Sequence, residues 1–464
     1  MNKTLHSDRE SIKDILSNTL ALANIYFDKQ DDLPPGRFIP NIEMIDMPEK
    51  GIGTNASLKF FEQNFADKMT NSAGSRYFGF VTGGSTPASV AGDWLVSAYD
   101  QNACGSNDSI APQIERQTLH FLKQLFGLDE AYFGSFVTGA TISNFTSLAQ
   151  ARQWVGEQQG IDFSQEGLSN AKPIQILSGT AHSSVYKSLS MLGIGRKSLI
   201  KIDTLPDREA IDVAKLEEYL KDNHSNQNNP LIIVANAGTV NTVDFDDLEA
   251  IAKLKSKYSF WLHVDAAFGG FAGCSPTYAH YIKGINHADS ITIDAHKWLN
   301  VPYDAAMQFT RHKNIQLSVF QNSAAYLGDP AQSPDFFHYT PENSRRFRAL
   351  PSWFTLMAYG KEGHREIVER NCDCAKLFGK MISDSSEFKL LSPVRMNVVC
   401  FTFNQEDPDA ASIAKFLAKV RDDGRAFFTS TNYKGVPAIR AAFSNWLTTE
   451  ADVHIAVQAL KENY

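Results

Sequence analysis

Trp261-Leu262-His263-Val264-Asp265-Ala266-Ala267 and, one crossover later, Ser290-Ile291-Thr292-Ile293-Asp294-Ala295-His296-Lys297-Trp298 decide how the rest of this chain is read. Each opens as a short, β-prone run and ends in small or charged residues. Two further runs, Ile174-Gln175-Ile176-Leu177 and Leu231-Ile232-Ile233-Val234-Ala235, have the same character. Continuous rather than alternating apolarity marks strands buried on both faces, the pattern of a mainly parallel sheet between helical layers. Helix-period segments such as 246–257 stand between these runs and serve as crossovers, so residues from about 130 to 312 predict an α/β domain.

Working outward, the pattern changes after Pro351 to a helix-like stretch from Trp353 to Phe378 and then a strand-like Val398-Val399-Cys400-Phe401-Thr402-Phe403. This predicts a smaller C-terminal α+β domain over 351–464, behind a large domain over 74–350. Residues 1–73 read as helical and polar with a Pro-rich interruption at Leu33-Pro34-Pro35-Gly36, a segment expected to pack on a partner subunit or the large domain rather than fold alone.

Composition narrows the class. With 43% hydrophobic and 21% charged residues the chain is globular rather than disordered. A net charge of −8 without a basic block argues against a nucleic-acid partner. The first ten residues lack a basic region followed by an apolar core, and no apolar run is long enough to span a bilayer, so a cytoplasmic protein without a membrane partner is expected. Five scattered cysteines fit reduced thiols, and Cys372-Asp373-Cys374 without further ligands predicts no metal site.

In open α/β sheets ligands sit at the carboxyl ends of the strands. Lys297, flanked by His296 and Trp298, stands on the polar lip of one buried strand, where a partly desolvated amine is suited to imine chemistry. Asp265 ends a neighbouring strand, and its carboxylate can hold a pyridinium nitrogen protonated, the condition under which pyridoxal 5′-phosphate (PLP) acts as an electron sink. Gly134 to Asn144 runs into a helical Phe145 to Trp154, and small residues at a helix start let backbone N–H groups approach a phosphate. His182, after the strand at 174–177, can lie over an aromatic cofactor, and Thr239 follows the strand at 231–235. Each feature alone has a bland structural reading; their order along one chain, each beside a strand end, points to PLP.

That ordered set resembles the group II PLP-dependent amino-acid decarboxylases, a family that includes the aromatic-L-amino-acid, glutamate and 2,4-diaminobutyrate decarboxylases. The resemblance spans about residues 74 to 450 and rests on His263-Val264-Asp265-Ala266-Ala267, Asp294-Ala295-His296-Lys297-Trp298 and Arg345-Arg346-Phe347-Arg348-Ala349-Leu350. It implies the fold type I architecture of PLP-dependent transferases and a homodimer with active sites at the interface. It implies that Lys297 is the Schiff-base lysine, Asp265 the pyridinium partner, His182 the ring-stacking histidine and Ala267 the small residue beneath the ring. Ala140, Thr141 and His296 match phosphate-binding positions, and Thr239 a threonine near the cofactor hydroxyl. Tyr326 matches a mobile-loop tyrosine that protonates the carbanion after CO2 leaves. Two departures stand out: Asp294, where several relatives carry Asn at a phosphate-contacting position, and Phe337, where animal aromatic decarboxylases carry Arg.

For the substrate, Phe80 and Thr82 in Tyr77-Phe78-Gly79-Phe80-Val81-Thr82 resemble the lining of an aromatic side-chain pocket, and Arg440 resembles the position that receives the α-carboxylate, which suits a guanidinium fork. Decarboxylation of an aromatic L-amino acid to its amine through the Lys297 Schiff base is therefore expected. The alternatives are an acidic or diamino acid substrate, or an aldehyde synthase, aminotransferase or lyase on the same scaffold. A PLP fold kept only for interaction would have lost Lys297 or Asp265.

Overall fold

The computed structural model describes residues 1–39, 41–105, 108–224, 230–322 and 335–464; Tyr326 lies outside them. A seven-stranded sheet forms from β1 (Phe133–Val137), β2 (Ile176–Ser178), β3 (Leu199–Lys201), β4 (Leu231–Asn236), β5 (Phe260–Asp265), β6 (Ser290–Asp294) and β7 (Ala306–Thr310). The strand order is β1-β7-β6-β5-β4-β2-β3, parallel from β6 to β3. Every residue of β4, β5 and β6 is buried, which is why their sequences carry no alternation.

Register places the chemistry. Asn236 pairs with Asp265, and Asp265 with Thr292, so the carboxyl ends of β4, β5 and β6 lie side by side. The antiparallel β7 joins Asp294 through Ala306 to Val137, the last residue of β1. The turn after β1 and the helix Ala140–Gln158 that follows it therefore begin beside Asp294.

A second, antiparallel sheet of order β10-β11-β9-β8 forms from β8 (Phe388–Leu390), β9 (Val398–Phe403), β10 (Thr429–Tyr433) and β11 (Val436–Ala442). The helix Ala349–Ser383, broken at Gly360 where φ is 58°, ties the two sheets together. Leu350, Leu356, Ile367 and Val368 enter the large core, whereas Cys374, Ala375, Phe378 and Ile382 enter the small one. Phe78 also joins the small core, and Tyr77 stacks on Phe427 with ring centroids 4.8 Å apart. Packing is thus shared across the segment border at 350/351. Residues 1–73 contribute the helices Lys3–Glu10, Ile12–Asp28 and Thr54–Asn64, with Leu16, Leu20, Phe27, Phe60 and Phe61 exposed. No helix among the described residues is long and apolar enough to cross a membrane.

Arg345, part of the most specific late motif, is buried. Its Nη2 pairs with Glu115 at 2.8 Å and donates to the Phe136 carbonyl, while Nη1 donates to the Ala103 carbonyl. Glu115 in turn accepts the Phe136 N–H, so the pair pins β1 through both of that residue's backbone groups. Arg345→Leu strands a carboxylate in the core, and the loss in unfolding free energy is expected to be about 3–5 kcal/mol. Urea unfolding measures it; a loss below about 1 kcal/mol would show the pair to be dispensable.

Candidate active site

The carboxyl ends of β4, β5 and β6 and the start of helix Ala140–Gln158 enclose a cleft of about 290 Å³. Ala140, Thr141, His182, Thr239, Asp265, Ala267, Asp294, His296 and Lys297 all line it. Parallel strand order gathers these residues, which spread over more than 150 positions of sequence. Phe268 also lines the cleft, its ring centroid 5.5 Å from Lys297 Nζ.

A buried relay that the sequence reading missed orients the Asp265 carboxylate. The Trp261 indole N–H, which can only donate, reaches Ser290 Oγ at 2.9 Å, leaving the serine proton for His263 Nδ1 at 2.9 Å. His263 then carries its proton on Nε2 and donates to Asn144 Oδ1 at 2.9 Å. The two amide protons of Asn144 go to Asp265 Oδ2 at 3.0 Å and Ser184 Oγ at 3.1 Å. Ser184 Oγ lies 2.8 Å from His182 Nδ1, which also accepts the Ser184 N–H. His182 Nδ1 is thereby occupied, and burial holds the ring below the ordinary histidine range, in its neutral form. Asp265 Oδ1 accepts the Ala267 N–H at 3.2 Å. Donors thus occupy both carboxylate oxygens and fix the carboxylate's orientation.

Burial pushes His263 down to about 4 from its ordinary 6.5, against the pull of Asp265. Between those values the unfolded chain binds a proton that the folded one refuses, so stability is lost as pH is lowered through this window, by about 3 kcal/mol in total. Urea unfolding at pH 7 and pH 4.5 should show this loss, and His263→Asn should show a smaller one. Equal pH slopes for the two proteins would contradict the relay's neutral histidine.

Lys297 stands in the short helical turn Ala295–Trp298 that follows β6, and its carbonyl abuts Gly83 so closely that a Cβ at 83 would overlap it. Its Nζ lies 3.6 Å from Asp294 Oδ2. His296 reaches Tyr303, ring centroids 4.3 Å apart, and the Tyr303 hydroxyl meets Thr82 Oγ1 at 3.2 Å.

Thr239, expected near a cofactor hydroxyl, commits its proton elsewhere. Its Oγ1 donates to the buried Glu209 Oε2 at 2.5 Å and accepts the Asp244 N–H at 2.9 Å. Glu209 gave no sequence signal, because a lone glutamate in Asp207-Arg208-Glu209 reads as a surface turn. Arg440, on β11, is buried; Nη1 donates to the Val240 carbonyl at 3.2 Å, Nε has no partner, and no carboxylate pairs with it among the described residues. Phe80, Thr82 and Arg440 are not among the residues lining the cleft; Phe80 is 56% exposed with φ at 55°. Phe337 is half-buried beside His338, ring centroids 4.2 Å apart. Among the described residues no cluster of His, Cys, Asp or Glu could hold a metal ion.

The donor set fits PLP. An amine sits on one wall, a fixed carboxylate acceptor on the next strand, a histidine ring between them, and backbone N–H groups at a helix start beside the buried, unpartnered Asp294 Oδ1.

Comparison with known proteins agrees. The family model of the pyridoxal-dependent decarboxylase conserved domain matches residues 41–404. An aromatic-L-amino-acid decarboxylase of Bacillus atrophaeus is 26% identical over 429 residues, covering 90% of this chain and 87% of its own, and one of Manduca sexta is 28% identical over 407 residues, covering 82% and 76%. Among solved structures, Oryza sativa TDC with PLP and tryptamine superposes with a TM-score of 0.89 at 20% identity, covering 98% of this chain and 97% of its own. The glutamate decarboxylase domain of a Vibrio parahaemolyticus diaminobutyrate-pyruvate transaminase and L-2,4-diaminobutyrate decarboxylase gives 0.85 at 22%, covering 97% and 95%. With the family model matching most of its length and a cleft whose donors fit the cofactor, this chain belongs to the pyridoxal-dependent decarboxylases, PLP enzymes that act on amino acids.

Proposed function

We propose that the chain decarboxylates an aromatic L-amino acid to its amine and CO2. The observation that carries the substrate class is the cleft wall: among its described residues Lys297 is the only lysine or arginine, and Ala181, Val240, Ala267 and Phe268 supply apolar surface. A side-chain carboxylate would find no cation on that wall besides Lys297, whereas a flat apolar side chain would find apolar surface. The names of the aromatic-L-amino-acid decarboxylase relatives support the same class.

Bound PLP supplies a ring that withdraws electrons from the substrate Cα. In our reading Lys297 Nζ ties the cofactor to the chain, and Asp265, held by Asn144 and the Ala267 N–H, keeps the ring nitrogen protonated. Neutral His182 covers the ring, Ala267 leaves room beneath it, and Ala140, Thr141, Asp294 and His296 take the phosphate. Arg440 receives the α-carboxylate with the donors left over from Val240, and Phe80 with Thr82 lines the side-chain end. Exposed Phe80 and the apolar faces of residues 1–73 favour a homodimer whose partner completes the pocket, in the cytoplasm. Holoenzyme incubated with single amino acids, with CO2 and amine followed by mass spectrometry, tests the class; preference for glutamate, aspartate or 2,4-diaminobutyrate over tyrosine, tryptophan and phenylalanine would overturn it.

Tyr326 is proposed to protonate Cα once CO2 has left. Tyr326→Phe keeps the ring and removes the acidic proton, so amine formation is expected to fall about 10²-fold. The remaining flux consumes one O2 and one water per turnover and yields aldehyde, CO2, ammonia and hydrogen peroxide. Amine made at the parent rate without peroxide would leave Tyr326 a lid residue.

A further inference from the structure

We propose that Asp294 meets the cofactor's phosphate as a protonated acid, which it becomes by taking a proton from solvent when the cofactor binds. The inference rests on placing the phosphate at the start of helix Ala140–Gln158.

Four observations converge on this carboxyl group. Asp294 is 2% exposed, lines the cleft, and its Oδ1 has no hydrogen-bond partner. His296 Nδ1 stands 3.1 Å from Oδ1, yet Nδ1 accepts the Ala305 N–H at 3.3 Å, so it has no proton to donate to the carboxyl oxygen. Two acceptors at that distance repel until one carries a proton. Thirdly, the carboxyl lies beside the Ala140 N–H, a donor at the helix start that a phosphate also needs. Fourthly, a Cβ at Gly139 would lie 3.3 Å from His296 Cε1, so the chain closes tightly around this corner.

The charges around Asp294 change sign when the cofactor arrives. Facing it are Lys297 and His296 from the turn that follows, Asp265 from β5, His182 from the turn after β2, and Tyr303 from the turn before β7. Lys297 Nζ, at 3.6 Å, would be drawn to the cofactor's aldehyde, and a phosphate with up to two negative charges would enter at the helix start beside Asp294. Burial already pushes the Asp294 acid above the ordinary range, ahead of the opposing pull of Lys297. An ionised carboxylate offers phosphate only lone pairs, whereas the acid form offers one O–H donor.

The test uses the full-length protein stripped of cofactor and PLP itself as probe. Calorimetry in two buffers of different protonation enthalpy at pH 7.5 should show wild type taking up about one proton more per PLP than Asp294→Asn. From pH 7 to 9 the wild-type Kd for PLP should rise up to tenfold per unit relative to the variant's. Equal proton counts and parallel pH profiles would overturn the inference. Should the variant fail to fold, infrared spectra of wild-type holoenzyme with and without 13C-labelled aspartate decide: a protonated carboxyl band is expected to appear on PLP binding, and its absence refutes the proposal. The phosphate placement has its own control. Gly139→Val should weaken binding of PLP at least tenfold and leave pyridoxal, which has no phosphate, nearly unaffected. Equal effects on the two ligands would reject the placement, whereas a selective effect with equal proton counts would reject only the protonated Asp294.

Discussion

Lys297→Ala is expected to give a folded protein in which borohydride fixes no PLP to the chain and turnover falls about 10⁴-fold or more, equivalent to at least ~5 kcal/mol of barrier. The argument is geometric first. Among the described residues Lys297 is the only lysine in the cleft wall, its side chain is mostly buried, and its Nζ lies 3.6 Å from Asp294 Oδ2 and 5.5 Å from the Phe268 ring centroid. No other amine among the described residues lining the cleft can replace it. The substitution leaves the turn intact, because its tight contact with Gly83 involves the Lys297 carbonyl and not the side chain. Reduction with borohydride followed by peptide mass spectrometry reads the result. A modified peptide that survives in the variant would move the imine to another residue and dismantle the site as described.

Much of this arrangement was legible in sequence because burial on both faces removes alternation. β4, β5 and β6 show it directly, and the last residues of β5 and β6 supplied Asp265 and Asp294. β7 was harder, since Ala306-Met307-Gln308-Phe309-Thr310 mixes polar and apolar residues, yet this antiparallel strand brings the helix start at Ala140 beside Asp294. Asn144 was illegible for a different reason. Helix Ala140–Gln158 buries Ser143, Asn144, Thr146, Ser147 and Gln150, uncharged polar residues that read as a solvent face until the sheet they cover is known. Arg345 had the opposite fate: its motif was read correctly as specific, but only the fold reveals that this arginine holds β1 rather than a ligand. Arg440 and Thr239 show the limit of matching by position. Thr239 lines the cleft and Arg440 does not, and the Thr239 proton is held by Glu209, an interaction that sequence distance hides.

Asp265 carries the second large prediction, because the ring nitrogen keeps its proton only while a carboxylate faces it. At hydrogen-bonding distance, roughly 3 Å, and an effective dielectric of about 20, two unit charges attract by about 5–6 kcal/mol, which corresponds to ~4 decades in proton affinity. Asp265→Ala removes that attraction and leaves the phosphate corner and Lys297 untouched. The variant is therefore expected to bind PLP and form the reducible adduct, but to lose about 10³-fold in turnover, ~4 kcal/mol of barrier. Asp265→Asn separates charge from shape. Its amide oxygen can accept from Asn144 or from the Ala267 N–H, and its NH2 group must then face the other donor, so the neutral isostere cannot satisfy both contacts that Asp265 now makes. Turnover should drop as far in Asn as in Ala, while only the Asn variant should disturb the neighbouring Asn144–His263 contact, detectable as a changed histidine tautomer by nitrogen NMR. If Asp265→Asn retains near-normal turnover, the ring nitrogen does not depend on this charge, and the relay through Asn144 serves to stabilise the central strands instead of tuning the cofactor.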